Sequence, residues 1–517
     1  MLFNSYAFIF VFLPVTLLGF FGLARRSHWL AATWLTLASL FFYGWWNPAY
    51  VGLLAASIAM NFFAGVSIAR ARAAGGPARA WLVVAVAANL ALLAWFKYAN
   101  FFVDSVAGLL GSHWSLAAIV LPLGISFFSF TQIAYLVDTY RGEVKEVNPV
   151  HYALFVTYFP HLIAGPVLHH REMMPQFGRA RTYVPRLDNL AVGLTIFCIG
   201  LFKKVVLADN VAAFANPVFA AAGQGDTLTL LESWGGVLAY TLQIYFDFSG
   251  YSDMAIGASR LFGITLPLNF NSPYKATNIA EFWRRWHMTL SRFLRDYLYI
   301  GLGGNRKGPA RRYVNLFVTM LLGGLWHGAG WTFVAWGALH GAYLCIHQAW
   351  AALRKTSAAP ATPPTRLGRV AATLLTFLAV VVGWVFFRAS SFEAAWAMLR
   401  SMAGLQGMVL PTGWQALMGP TLAGGLQRLG AVFGDSGLFQ GSTELAWLVV
   451  LLALALWAPN TQQIMSGHAP ALDWRGGDSA RWLRWRPNTA WAAAIGCAAL
   501  ISIASLTEVS QFLYFQF

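Results

Sequence analysis

Leu325-Trp326-His327-Gly328-Ala329-Gly330-Trp331 places a histidine inside a long apolar region, between tryptophans and small residues. A titratable ring is costly to bury in hydrocarbon, so its presence there points to use. The surrounding run, 313–350, reads as a hairpin of two apolar helices that starts after Arg312 and returns to Arg354 and Lys355. Fifteen residues separate His327 from Arg312. At ~1.5 Å per residue that is roughly 22 Å of rise, which is deep in a bilayer. Gly328-Ala329-Gly330 then permits a tight turn.

Composition makes the membrane reading general. Of 517 residues, 58% are hydrophobic and only 10% are charged. A soluble domain carries roughly 25% charged residues. Aromatic residues make up 16%, including 23 Trp, enough to furnish two interfacial belts. The net charge of +16 does not indicate nucleic acid, because Lys and Arg cluster in short loops between apolar runs. Cys198, Cys345 and Cys497 each lie in an apolar run without disulfide or zinc spacing, and no metal site is expected. Residues 1–24 lack a basic start, and Arg25-Arg26 follow them. They read as a retained first span with the N-terminus outside.

Runs of about 20 apolar residues can span as helices. Candidates lie near 5–24, 29–46, 50–69, 80–100 and 115–137, with loops that alternate between basic and non-basic. Residues 150–170 break the pattern. Both flanks are basic, and Pro160, Gly165 and Pro166 interrupt the run. A re-entrant or broken helix fits, and an in-plane interfacial helix is the alternative. Spans at 189–207 and 233–256 are expected to be joined outside by a loop holding Asp209 and Asp226, with Lys203 and Lys204 as exceptions to the charge rule. Residues 278–299 show a helical apolar period among Arg284, Arg285, Arg292 and Arg295. This predicts a basic amphipathic helix in the cytoplasmic interface, with Asn278 as its cap and Glu281 at the capping-box position. A Pro-rich linker, 356–368, precedes spans near 369–387, 444–458 and 489–506. Arg475, Arg481, Arg484 and Arg486 are placed inside. The outer segment 391–443 is long, and Phe392, Trp396, Leu399 and Met402 mark an amphipathic helix in it.

The expected fold is an all-α polytopic membrane protein of about eleven transmembrane helices, plus re-entrant and in-plane amphipathic helices. It reads as a single membrane-embedded domain over 1–517. N-terminal spans occupy 1–145, a core 146–355, and C-terminal spans 369–517. No internal repeat and no soluble catalytic domain are visible.

Two histidines stand out for chemistry. His327 suits a general base or proton relay, because a neutral imidazole accepts a proton near neutral pH. It would take the proton of an acceptor hydroxyl as that oxygen attacks a thioester. The plainer reading is a buried ring bonded to a backbone carbonyl. His287, in Arg284-Arg285-Trp286-His287, reads as an interfacial histidine that orients or protonates a donor at the cytoplasmic mouth, or as a residue on a polar helix face. Arg284, Arg285 and Arg292 favour an anionic donor such as the phosphates of coenzyme A, though membrane anchoring explains them equally. The loop Gly301–Gly308 matches no phosphate-loop pattern and reads first as a turn; Asn305 and Arg306 within it are candidate donor-mouth residues. Asp247 and Asp253 are acids in or beside a span, either functional or locally paired.

Several motifs together resemble the membrane-bound O-acyltransferases, most of all their alginate O-acetylation subgroup. They are Phe282-Trp283-Arg284-Arg285-Trp286-His287-Met288-Thr289-Leu290-Ser291, Leu302-Gly303-Gly304-Asn305-Arg306 and Leu325-Trp326-His327-Gly328. Tyr158-Phe159-Pro160, Phe246–Asp253, Trp384-Val385-Phe386-Phe387-Arg388 and the terminal Phe512-Leu513-Tyr514-Phe515 extend the likeness over nearly the whole chain. Gly301 departs from it where proline is expected, which affects only a turn. The resemblance implies a membrane acyltransferase with a central funnel, His327 as catalytic histidine and His287 as the second functional one. It implies acetyl-CoA as the donor, no permanently bound cofactor, and a place in a bacterial inner membrane. It also implies separate periplasmic or membrane-anchored polysaccharide acetylation proteins as partners, with 391–443 as one docking surface. The acceptor suggested is an exopolysaccharide such as alginate. Peptidoglycan, cellulose or D-alanylated teichoic acid remain alternatives. A proton-coupled transporter and a structural assembly subunit are the readings from other classes.

Overall fold

The computed structural model describes residues 1–356, 365–435, 437–472, 474, 481–506 and 513. Arg475, most of the 356–368 linker and the terminal 512–515 motif apart from Leu513 lie outside them. The described chain is helical almost throughout, and its strands are the parallel pair Met408–Pro411 and Ala431–Gly434. By length and composition, Ala7–Ala24, Ala49–Ala73, Ala78–Leu110, Leu187–Gln224 and Arg366–Arg388 are long and apolar enough to cross a membrane. Gly441–Leu456 and Thr489–Ala504 are shorter apolar helices. Large apolar side chains such as Phe63, Leu109 and Leu375 face outward on these helices, as lipid permits. The chain is a multi-pass membrane protein.

Two compact units divide the contacts. The first holds 1–202, 250–269 and the described part of 461–516. In it the 150–170 segment is broken as expected. Pro149–Thr157 starts on Asn148, whose side-chain oxygen accepts from the N–H groups of Val150 and His151. Tyr158 leaves the helical region at φ −48°, ψ 108°, and Pro160 then opens the short Phe159–Leu162 helix. The freed backbone is satisfied by protein. The Phe159 N–H donates to Ser39 Oγ at 3.2 Å, and His161 Nε2 donates to the Phe155 carbonyl at 2.8 Å. Non-helical backbone survives at membrane depth only under such cover. The suspicious Asp253 is a local acceptor here, for Thr461 Oγ1 at 2.6 Å and Gln462 Nε2 at 2.8 Å. One expected helix is shorter than its apolar run: 115–137 becomes helical only at Ile125, after Gly124 at φ 71°.

The second unit holds 203–249 and 270–460. The outside loop expected to contain Asp209 is helix instead. Leu187–Phe202 continues through a π-helical stretch, Lys203–Ala208, into Asp209–Gln224. The reason is internal neutralisation. Lys204 Nζ lies 2.6 Å from Asp209 and 2.8 Å from Asp247, so its charge does not require the helix to end in water. Phe392–Met402 is the amphipathic helix expected in the outer segment, but it buries Ala394, Ala395, Met398 and Met402 while Phe392 and Trp396 face out.

The basic helix expected over 278–299 is not one helix. Ile279–Trp283 starts at Asn278, whose side chain accepts from the Glu281 N–H at 2.9 Å. The chain then turns, and Met288–Phe293 begins only after His287, held in the left-handed region at φ 42°, ψ 53°. A π-helical stretch, Leu294–Tyr299, follows. The apolar period survived in the sequence because both short helices bury the same kind of face; the break at 284–287 leaves no mark in it.

Pro309–His327 and Trp331–Thr356 form the hairpin expected around His327. Their approach depends on glycine. A Cβ on Gly324 would lie 2.3 Å from the Phe333 carbonyl oxygen, and one on Gly337 2.5 Å from that of Met320.

Candidate active site

All of the site described below lies in the second unit. His327 is the last residue of its helix and is only 4% exposed. Ending the helix there, at a residue followed by extended Gly328, turns the imidazole into an aromatic box. Its centroid lies 5.0 Å from Trp336, edge-on at 86°, and 5.2 Å from Phe387. Trp326 closes a third side at 5.0 Å.

His287 joins the same box. Its ring centroid is 6.4 Å from that of His327, with the planes inclined by 60°. Phe248 packs edge-on against it at 4.8 Å. His287 is fully buried, which corrects the expectation of an interfacial ring. The physical reason is the left-handed link. It swings the side chain away from the basic helix surface and into the core. A non-glycine residue in that region stores roughly 1–3 kcal/mol of strain and persists only where its surroundings impose it.

A cavity of about 390 Å³ is lined by Trp283, Leu294, Arg295, Asn305, Arg312 and Met320, among others, and Trp283 packs on Trp336 of the box at 5.7 Å. On the Pro309–His327 helix its lining residues Arg312, Leu316, Thr319 and Met320 follow steps of three and four. Continued, that face leads to Gly323 and His327. The cationic end therefore lies roughly 22 Å of helix rise from the catalytic candidate, and the apolar end about 10 Å. Arg312 lies over the Tyr313 ring at 5.0 Å and, among the described residues, has no carboxylate within ion-pair distance. Arg295 is paired with Asp296 at 2.6 Å.

The residues expected at a donor mouth separate. Asn305 lines the cavity. Arg306 and Arg284 are exposed and off its lining. Arg285 is committed elsewhere, to Glu281 at 2.7 Å and to the Asn271 carbonyl at 3.2 Å. Partial burial pushes the Glu281 carboxyl up, but hydrogen bonds from the Thr277 N–H, the Thr277 hydroxyl and Arg285 outweigh it and hold it below the usual carboxylate range. The Gly301–Gly308 loop is a turn: Gly303, Gly304 and Gly308 have φ of 106°, 55° and 86°, and Asn315 Nδ2 donates to the Gly304 carbonyl at 2.9 Å. Arg312 was missed, although its helical register with His327 was a usable signal. Arg295 and Tyr299 gave no such signal, because the π-helical stretch shifts their face.

Comparison of the sequence with known proteins finds a family. Residues 87–396 match the model of the MBOAT, membrane-bound O-acyltransferase family. The chain belongs to the membrane-bound O-acyltransferase family. It is 46% identical over 438 residues to a peptidoglycan O-acetyltransferase of Helicobacter pylori, covering 79% of this chain and 81% of that one. It is 45% identical over 407 residues to the probable alginate O-acetylase AlgI of Pseudomonas aeruginosa, covering 78% and 75%. A teichoic acid D-alanyltransferase of Streptococcus thermophilus is 28% identical over 287 residues, covering 51% and 68%. The protein is therefore a membrane acyltransferase. Both motif histidines, His287 and His327, and the whole cavity lining fall inside the matched region.

Proposed function

We propose that this acyltransferase moves an acetyl group from acetyl-CoA, bound from the cytoplasmic side, to a cell-envelope polysaccharide on the far side of a bacterial inner membrane. The observation that carries the reading is the single helix face running from the uncompensated Arg312 to the His327 box. A phosphate-bearing donor fits Arg312 and Arg295 at one end, and its acyl thioester reaches toward the apolar end. His327 takes the proton of the acceptor hydroxyl as that oxygen bonds to the acetyl carbon. The carbon–sulfur bond then breaks, and the proton passes to the leaving thiolate. His287 orients the thioester carbonyl from the opposite wall. The dry aromatic walls exclude the water that would hydrolyse the donor.

Relatives named for alginate and for peptidoglycan stand at nearly equal identity, so an O-acetylated polysaccharide of either kind is the acceptor class. D-alanyl transfer is disfavoured by its lower identity over half the chain. Separate periplasmic or membrane-anchored acetylation proteins complete the transfer, docking at 391–443, and the N-terminus faces the periplasm. The test is purified protein with radiolabelled acetyl-CoA. Donor breakdown or transfer that His327→Ala abolishes, with insertion and folding retained, supports the reading; full activity in that variant overturns it.

A further inference from the structure

A third buried histidine stands behind the site. His340 is fully buried, and its Nδ1 accepts a hydrogen bond from Trp283 Nε1–H at 3.3 Å. Accepting at Nδ1 fixes the neutral ring as the tautomer with its proton on Nε2. Phe282, Trp283, Trp336, Tyr343 and Trp384 surround its ring, and two of them have different duties. Trp283 is a wall of the 390 Å³ cavity. Trp336 packs on His340 at 4.8 Å and on His327 at 5.0 Å. The indole of Trp283 also meets Trp336 edge-on at 5.7 Å. One imidazole thus touches both the cavity wall and the ring that flanks the catalytic candidate, without itself lining the cavity.

We propose that His340 is a positioning residue for the acyl donor. Its Nδ1 pins the Trp283 indole as the flat wall along which the donor lies, and its ring face backs Trp336 against His327. This rests on the reading of the cavity as the donor site. A buried indole N–H without its acceptor loses a hydrogen bond and turns to find another. The wall then moves, and the donor's reacting carbon moves relative to His327. Misplacement of that kind is costly far from the chemistry itself.

The experiment measures KM and kcat for acetyl-CoA on the full chain in lipid nanodiscs, with thermal melting as the check on folding. His340→Leu removes the acceptor and is expected to raise the donor KM roughly five- to tenfold, the effect of one buried hydrogen bond. His340→Asn places an amide oxygen near the Nδ1 position and is expected to bring KM back to within about twofold of the parent. Trp283→Phe removes the donor while keeping a ring, and is expected to raise KM as His340→Leu does. Combining Trp283→Phe with His340→Leu is expected to add little, because both remove one interaction. An unchanged KM in a folded His340→Leu protein overturns the proposal. So does equal KM in the Asn and Leu variants, or additivity in the double variant. Arg312→Ala separates this from failure of the donor-site reading. If it raises KM while His340→Leu does not, only the positioning role fails; if Arg312→Ala also leaves KM unchanged, the cavity is not the donor site.

Discussion

The imidazoles of His287 and His327 lie 6.4 Å apart, centroid to centroid, although forty positions separate them in the chain. Each sits where its helix is interrupted. His327 is the final residue before extended Gly328, and His287 is the left-handed residue before Met288–Phe293. A side chain on a continuous helix is confined to one surface stripe. A side chain at a break is aimed by the break, and both of these are aimed into the same aromatic box.

His327→Ala is expected to lower kcat for acetyl transfer by a factor on the order of 10²–10⁴, the usual contribution of a positioned general base. The donor KM is expected to stay nearly constant, because the cavity lining does not include His327. Steady-state kinetics on purified protein check both numbers. A variant that keeps more than about a tenth of kcat removes His327 from the proton-transfer role.

The strain at His287 gives a prediction independent of activity. Glycine accepts φ 42° without penalty, whereas alanine does not. Both substitutions remove the imidazole, so packing losses are similar. His287→Gly is therefore expected to be more stable than His287→Ala by about 1 kcal/mol, while both lose acetyl transfer. Thermal melting of the two variants side by side is the measurement. Equal melting temperatures mean that the left-handed conformation is not strained in the folded protein.

The sequence carried the hairpin, the broken 150–170 segment and the first spans because each depends on local signals: apolar length, proline, and charge at the loops. It carried His327 for the same reason. His287 was placed on the wrong surface because a helical period continues across its break, and periodicity reports buried faces rather than continuity. The loop expected at Asp209 failed differently. Charged residues read as a loop only when their partners are unknown, and Asp247, the partner of Lys204, lies about forty residues further along the chain. Arg284 and Arg285 stand out in the sequence beside His287, and Arg306 in the glycine-rich loop. Only Arg295 and Arg312 of the arginines line the cavity among the described residues, whereas Arg285 lies off it, held by Glu281.

Lys204, Asp209 and Asp247 permit a stability test of that pairing. Lys204 and Asp247 are almost fully buried, while Asp209 is partly exposed. Lys204→Met removes the cation 2.8 Å from buried Asp247, at a cost of about 3–5 kcal/mol for breaking a buried ion pair. Adding Asp247→Leu removes that anion, and Asp209 can be met by solvent. The double variant is therefore expected to melt higher than Lys204→Met alone. If the double variant melts lower, the two positions act by packing and not by charge.

Gly324 offers the sharpest structural test, because its neighbours are backbone. A Cβ there would lie 2.3 Å from the Phe333 carbonyl oxygen and 2.9 Å from Gly337 Cα, and neither can rotate aside. Gly324→Ala must separate the two hairpin helices, an overpacking cost of about 1–3 kcal/mol. Gly330→Ala is the matched control. A Cβ there meets the Phe333 ring only at 3.5 Å, an ordinary contact. Its effect on melting is expected to stay within about 0.5 kcal/mol. The functional consequence follows from register. His327 lies one turn beyond Gly324, and Trp336 lies beside Gly337. Separating the helices pulls the indole away from the imidazole, so acetyl transfer per folded molecule is expected to fall at least tenfold in Gly324→Ala and to persist in Gly330→Ala. Activity normalised to the monodisperse fraction makes the distinction, and a folded Gly324→Ala protein with parental activity would show that helix contact does not set the geometry of the box.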